Sequence, residues 1–261
     1  MPYFIVVLGT AGSGKTTLTA ALVDFLLDNQ LDAVAVNLDP AVEKLPYKPS
    51  VDVREYVDAH ELMEKLGLGP NGALIVAIDM LSLRIDELVE EIHSLRANYI
   101  VIDTPGQMEL FAFRETGPLV IKSIVSDYKA VSLFLIDAVQ ASKPSNYFSA
   151  LLLAASTQFR ISLPQINVLT KIDLVPNNVV EEITSYHDDP SQLATRVLED
   201  KSASLMWSED DIAIIAERLM NIDVVPVSSK TLFGFDNLYA YIQRVVAGGE
   251  DYYTEEPSSR L

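Results

Sequence analysis

The segment GTAGSGKTT, at residues 9–17, has the residue types and spacing that bind a chain of phosphate groups. It matches the pattern G-x-x-x-x-G-K-[ST], in which glycines let backbone N–H groups turn towards phosphates, the lysine supplies a cation and the hydroxyl can bind Mg²⁺. Apolar, β-branched text precedes it and helical text follows it. The segment therefore predicts a P-loop for a nucleoside triphosphate. The residues assigned to the phosphates are Gly9, Gly12, Ser13, Gly14, Lys15, Thr16 and Thr17.

Two aspartates follow predicted strands, where parallel sheets bind their ligands. Asp39 lies in NLDPA and Asp103 lies in VIDTPGQMEL. The carboxyl ends of parallel strands are the ligand-binding edge of such sheets. Asp103 is placed to hold Mg²⁺ through water, as a Walker-B aspartate does, and Thr16 and Asp39 complete the predicted metal site. For Asp39, the alternative of a simple strand-end or helix-capping residue stays open.

The turn after Asp103 contains groups that could act on the terminal phosphate. Gly106 could donate its backbone N–H to the γ-phosphate, and Gln107 or Glu109 could orient the attacking water. Structural roles stay open for both side chains. Gln107 could cap a helix, and Glu109 could be an acid in the first helical turn.

A third group of residues indicates which base is bound. LTKID matches the N/T-K-x-D pattern of guanine sites. We expect Asp173 to be a buried carboxylate that accepts from N1–H and the exocyclic amine of guanine, with about 10⁴-fold discrimination against adenine. The stem of Lys171 can lie along the base, and PVSSK can contact the base oxygen. The residues assigned to guanine are Thr170, Lys171, Asp173, Ser228, Ser229 and Lys230.

Short apolar runs alternate with helical stretches along the chain, which predicts an α/β fold with a doubly wound, mostly parallel sheet. We expect one P-loop domain over residues 1–248. Helical insertions interrupt it at about 40–97 and 176–221, and residues 249–261 are expected to form a flexible acidic tail. In the first insertion, LGLGPNGAL reads as a turn that joins two antiparallel helices.

The composition narrows the choice of partner and compartment. The chain has 261 residues, no cysteine, and 37 Asp and Glu against 19 Lys and Arg. Such an excess of acid repels a phosphate backbone, so direct binding to nucleic acid or to an anionic membrane is not expected. No apolar run is long enough for a membrane helix, and no signal peptide is recognised. These features favour a cytoplasmic protein.

The motifs GTAGSGKTT, NLDPA, GPN, DTPGQMEL, TKID and SSK together resemble the GPN-loop GTPases, in the family's own order and over nearly the whole chain. This family belongs to the dimeric branch of P-loop proteins that includes signal-recognition-particle GTPases and MinD-like ATPases. MinD-like ATPases have a second lysine early in the P-loop, where this chain has Thr10. Within this family the chain most resembles the archaeal-type single members. The resemblance implies a Mg²⁺-dependent, homodimeric GTPase that binds GTP and GDP.

The resemblance also gives the GPN turn a function. It implies that this loop of one subunit reaches the phosphate site of the other, with Asn71 near the γ-phosphate or the attacking water. No arginine stands at a spacing that suggests an arginine finger, since Arg54 and Arg114 are interpreted as solvated or structural. The neutral amide of Asn71 would then stabilise the transferred phosphoryl group through hydrogen bonding. The implied catalytic residues are Gly69, Pro70 and Asn71 of the loop, with Asp39, Gln107 and Glu109 as the water-positioning group.

The biological role follows only from the same resemblance. Eukaryotic members are associated with the assembly and nuclear delivery of RNA polymerase. This association implies a nucleotide-switched assembly or chaperone-like factor with protein clients such as RNA polymerase or another assembly. The alternative is a nucleotide-gated scaffold in which turnover is incidental.

Overall fold

The computed structural model describes residues 1–199, 207–220 and 223–247, which contain a seven-stranded sheet whose paired strands are all parallel. The strands are β1 Tyr3–Gly9, β2 Ala33–Asn37, β3 Val51–Asp52, β4 Tyr99–Asp103, β5 Lys129–Asp137, β6 Gln165–Thr170 and β7 Val224–Pro226. Their order across the sheet is β3, β2, β4, β1, β5, β6, β7. The strand order therefore reverses on either side of β1, which is where ligands bind in such sheets.

Twelve helices of the described residues surround this sheet. The helices are α1 Lys15–Asp28, α2 Ala59–Leu66, α3 Pro70–Ser82, α4 Ile85–His93, α5 Met108–Ala112, α6 Thr116–Val125, α7 Ala138–Ala141, α8 Pro144–Ile161, α9 Asn177–Ser185, α10 Pro190–Leu198, α11 Glu209–Leu219 and α12 Phe235–Ala247. Short 3-10 turns occupy Val53–Glu55 and Ile172–Leu174. The predicted α/β class is confirmed.

The central strand shows why the sequence of the sheet is so continuously apolar. Phe4 and Val6 belong to one buried cluster, whereas Ile5 and Val7 belong to another on the opposite face. Successive side chains of a strand point to opposite faces. Because helices cover both faces, every residue of the strand interior is buried and polar alternation is absent.

The first insertion differs from the two helices that the sequence predicted. It contains three, because α3 ends at Ser82 and α4 begins at Ile85. The two residues between these helices are Leu83 and Arg84. Neither is a helix breaker such as glycine or proline, so the break could not be read from the sequence. Strand β3 was also missed, since two residues are too few for a periodic pattern.

The turn before α3 has well-defined local causes. Gly67 ends α2 in the left-handed conformation at φ 63°, and Pro70 takes the first position of α3. A proline is favoured at that position because its missing N–H would have no helical partner there. The predicted turn is therefore present, with the GPN residues at the start of a helix.

The second insertion contains α9, α10 and α11. Ser208 caps α11 with a reciprocal Ser208–Asp211 capping box. The domain boundaries remain predictions, and the predicted tail at 249–261 lies outside the described residues. Within the described ranges, no helix combines the length and the apolar character needed to cross a membrane.

Replacement of Gly117 by alanine is expected to destabilise the fold. A Cβ at this position in α6 would lie 2.1 Å from the backbone oxygen of Phe111. Overpacking of this kind costs about 1–3 kcal/mol of unfolding free energy. Gly72→Ala is the control, because its Cβ would meet nothing closer than 3.7 Å and alanine favours a helix by about 0.5–1 kcal/mol. Urea unfolding measures both; equal stability of the two variants would contradict the expectation.

Candidate functional site

The P-loop connects the central strand to the first helix. Gly14 precedes α1 in the left-handed conformation, at φ 97°. The Lys15 ammonium donates to three backbone oxygens, those of Gly9 at 2.8 Å, Thr10 at 3.0 Å and Gly106 at 3.1 Å. An ammonium has three protons, so all its donors are used. Burial lowers the pKa of Lys15, and the nearby carboxylates of Asp103, Asp39 and Glu109 oppose that shift.

Asp39 joins the end of β2 to the turn after β4. Its Oδ2 accepts from the Gly106 N–H at 2.9 Å, and its Oδ1 accepts from the Ala41 N–H at 2.9 Å. Burial raises the pKa of Asp39, against the lowering effect of these two hydrogen bonds and of Lys15. The Gly106 N–H was predicted to donate to the γ-phosphate, but here it donates to Asp39. A buried carboxylate requires hydrogen-bond donors, and this N–H is one within reach.

Asp103 is the most deeply buried acid of the site, with only 1% of its surface exposed. Its Oδ2 accepts from the Tyr47 hydroxyl at 2.9 Å, whereas its Oδ1 has no hydrogen-bond partner. Burial raises the pKa of Asp103 to about 6, although the hydroxyls of Thr16 and Tyr47 lower it. A buried carboxylate oxygen without a donor is costly unless a cation or a water satisfies it.

The donor set fits a magnesium ion. Mg²⁺ prefers oxygen ligands and is usually bound by one or two carboxylates together with water and phosphate. The free Oδ1 of Asp103, the Thr16 hydroxyl and the Asp39 carboxylate are oxygens of this kind. The described residues contain no group of three or more His, Cys, Asp or Glu side chains that could hold a metal. A Mg²⁺ ion held by so few protein oxygens takes its remaining ligands from water and from phosphates.

The base of the first insertion is hydrogen-bonded to the Asp39 loop. The Asn37 amide donates to Asp52 at 2.9 Å and accepts from the Asp39 N–H at 3.0 Å. Arg54 pairs with Asp52 at 2.6 Å and donates to the backbone oxygen of Val42 at 3.1 Å. Arg54 thus has a structural position, as does Arg114, which pairs with Asp79 at 3.1 Å.

The predicted base-binding strand is tied directly to the P-loop. Thr170, at the end of β6, donates to the Ser13 oxygen at 2.8 Å. The Lys171 ammonium donates to the Gly12 oxygen at 2.5 Å and pairs with Asp137 at 2.7 Å. The TKID and P-loop motifs therefore form one continuous site.

Asp173 and Ser228 contact each other, and the exposure of Asp173 corrects one sequence expectation. Asp173 is exposed rather than buried, because it follows the strand end in a 3-10 turn. The Ser228 hydroxyl donates to Asp173 at 2.7 Å and accepts from the Thr231 N–H at 3.2 Å. The Ser228 hydroxyl thus positions the carboxylate, and the contacts of Ser228, Ser229 and Lys230 with the base stay predictions. Ser229 is partly buried and Lys230 is exposed beside it.

Five of the residues predicted to act on water and phosphate are exposed, whereas Asp39 and Gly106 are partly buried. Gln107 occupies the N-cap of α5 without a side-chain capping bond, and Glu109 lies in the first turn of that helix. Gly69, Pro70 and Asn71 are also exposed. Among the hydrogen bonds of the described residues, none joins this loop to the P-loop, Asp39 or the Gln107 turn.

Sequence reasoning missed three residues that organise the site. These residues are Asn37, Tyr47 and Asp137. Asn37 is the last residue of a buried strand and Asp137 follows an apolar run, so both were polar residues at a ligand-binding edge and could have been found. Tyr47 lies in a loop between two prolines, and nothing in its local pattern indicates a contact with Asp103.

The fold and the site together define a P-loop protein with the α/β architecture of GTPases. A family model described as "Conserved hypothetical ATP binding protein" matches residues 7–248. The GPN-loop GTPase PAB0955 of Pyrococcus abyssi is 36% identical over 90% of this chain and 93% of its own. A GPN-loop GTPase 1 of Dictyostelium discoideum is 36% identical over 72% of this chain, which spans 48% of that longer protein.

A solved structure gives the same result. The crystal structure of PAB0955, described as a GTPase in apo form, superposes with a TM-score of 0.81 at 34% identity and covers 93% of this chain and 97% of its own. The chain therefore belongs to the GPN-loop GTPase family.

Asp103→Asn is expected to stabilise the nucleotide-free protein at pH 7.5 in the presence of EDTA. The folded pKa of about 6 lies above the ordinary value of 3.8. The favourable contribution of Asp103 is thus complete below pH 3.8 and is lost as the pH rises through 6, because the carboxylate then ionises in a buried position. A neutral amide avoids this loss, which is on the order of 2–3 kcal/mol of unfolding free energy.

Urea unfolding from pH 4 to 7.5 measures the effect, and the difference between wild type and Asp103→Asn should approach zero at pH 4. Asp24→Asn is the matched control, since Asp24 is an exposed aspartate on α1. A variant less stable than wild type at pH 7.5 would contradict this explanation.

Proposed function

We propose that this protein is a Mg²⁺-dependent GTPase that hydrolyses GTP to GDP and phosphate. The observation that supports it most strongly is the meeting of three strand ends around Lys15. The ammonium touches the P-loop and Gly106, and Gly106 is bonded in turn to Asp39. A phosphate that enters this site would accept hydrogen bonds from the Lys15 ammonium and the Gly106 N–H in place of their present protein acceptors. P-loop proteins position a phosphoryl group with donors aligned in this way.

Guanine is the base that the contacts favour. Asp173 is fixed by Ser228, and Lys171, which directly follows β6, donates to the Gly12 oxygen of the P-loop. A carboxylate accepts two hydrogen bonds from the N1–H and exocyclic amine of guanine, whereas adenine has no N1–H to offer. The family description mentions ATP, but the TKID chemistry and the relatives named GTPases support GTP.

The chain's own residues divide the reaction into distinct tasks. Lys15 and the P-loop N–H groups bind and orient the phosphates, and the Gly106 N–H becomes available to the γ-phosphate when Asp39 releases it. Gln107, Glu109 and the released Asp39 carboxylate orient the attacking water. Thr16, Asp103 and Asp39 would hold Mg²⁺, which would neutralise charge on the phosphates.

We further propose that the protein acts as a homodimer and that the GPN loop completes the partner's phosphate site. This loop is exposed on the end of α3, and no hydrogen bond joins it to the phosphate site of its own chain within the described residues. Pro70 fixes the first helical turn, so Asn71 is presented on a rigid element. An assembly-factor role with RNA polymerase or another client rests on family resemblance alone.

Asn71→Ala tests the catalytic part of this proposal. We expect kcat for GTP hydrolysis to fall by about 100-fold, the usual cost of removing one preorganised donor to a transition state. The affinity for GDP should change less than about twofold, because the ground-state contacts are made by the P-loop and TKID segments. Single-turnover hydrolysis and GDP titration separate the two effects.

The matched control is Asn178→Ala, since Asn178 is also an exposed asparagine at the second position of a helix. Its kcat should equal that of wild type. Normal hydrolysis by Asn71→Ala would remove the loop from the mechanism. Tight GTP binding without any turnover in wild type would favour the nucleotide-gated scaffold.

A further inference from the structure

Tyr47 lies in the connection between β2 and β3, outside every motif that indicated a nucleotide site. Its hydroxyl donates to Oδ2 of Asp103 at 2.9 Å. Its ring is partly buried and packs against the core cluster on one face of the sheet. From these contacts we infer that Tyr47 is a positioning residue, which holds the Asp103 carboxylate in the orientation that binds Mg²⁺.

The inference depends on what Tyr47 does to the two oxygens of one carboxylate. With Oδ2 bonded to the tyrosine, Oδ1 is left as a buried oxygen without a partner. Rotation about the last side-chain bond would otherwise turn the carboxylate plane, and Oδ1 with it, away from its present direction. A donor on Oδ2 fixes that rotation, so a cation meets a single, preoriented oxygen.

The position of Tyr47 itself is anchored by the insertion. The backbone N–H of Ser50 donates to the Ala35 oxygen at 2.8 Å, and β3 pairs with β2 through Val51 and Asp52. These bonds hold the end of the loop only three residues after the tyrosine. The ring therefore approaches Asp103 from a fixed support, which a positioning residue requires.

A purely structural role for Tyr47 makes a different prediction. If the ring only filled space, Tyr47→Phe would leave the metal requirement unchanged, because phenylalanine keeps the ring and removes only the hydroxyl. If the hydroxyl positions Asp103, the same change lowers the affinity for Mg²⁺ and leaves the affinity for the nucleotide itself unchanged. Loss of such a supporting hydrogen bond typically costs 10–100-fold in metal affinity.

The test is a Mg²⁺ titration of the dissociation rate of a fluorescent GDP, and it rests on the Mg²⁺-dependent GTPase proposed above. Tyr47→Phe should need about 10–100-fold more Mg²⁺ for half-maximal slowing of GDP release. Its GDP affinity in EDTA should match wild type. Tyr186→Phe is the control, because the Tyr186 hydroxyl also donates to a carboxylate, that of Glu182, at 2.9 Å but in the second insertion. It should behave as wild type throughout.

Three results in the variants would overturn the inference and leave the proposed function intact. They are an unchanged Mg²⁺ midpoint in Tyr47→Phe, an equal shift in Tyr186→Phe, and an equal loss of GDP affinity with and without Mg²⁺. If wild type itself shows no Mg²⁺ dependence, the metal requirement of the proposed function fails and the inference fails with it. If Tyr47→Phe does not fold, Tyr47→His, which keeps a donor, and Tyr47→Leu provide the same comparison.

Discussion

Burial of opposite charges at one point of the sheet edge is the constraint on which the site depends. Lys15 and Asp103 are both buried and Asp39 is partly so. Burial acts against the charged form of each group, as the lowered pKa of Lys15 and the raised pKa values of Asp39 and Asp103 show. Such a cluster persists only if backbone donors and acceptors satisfy it. The P-loop oxygens and the Gly106 peptide do so for Lys15 and Asp39, whereas Asp103 keeps one unpaired oxygen.

The same constraint connects the phosphate site to the helical insertion. Asp39 belongs to a loop that is hydrogen-bonded to the start of α2. The Pro40 oxygen accepts from the Ala59 N–H, and the Ala41 oxygen bonds to the His60 ring. Helix α2 leads directly to the GPN turn, and buried Ala59 and Leu62 pack it against α3. A displacement of Asp39 must therefore strain or break bonds to the helix pair that carries the loop. This arrangement gives the insertion a physical connection to the Asp39 carboxylate.

The sequence predicted the parts of this molecule that depend on local pattern. The P-loop and the strand ends at Asp103 and Thr170 follow from glycine spacing and apolar runs. The break between α3 and α4 carries no such signal, and two-residue β3 is defined only by its pairing with β2. The contacts of Tyr47 with Asp103 and of Ser228 with Asp173 join residues 56 and 55 positions apart. Only the folded chain brings such pairs together.

We propose that a complete catalytic site requires residues from two chains. GTP hydrolysis by an equimolar mixture of Lys15→Ala and Asn71→Ala, after subunit exchange, tests it most directly. Each variant alone should be nearly inactive. Random exchange in a two-fold dimer leaves one intact composite site in half of the dimers, so the mixture should regain about one quarter of wild-type activity. A mixture no more active than the average of its two components would contradict the account.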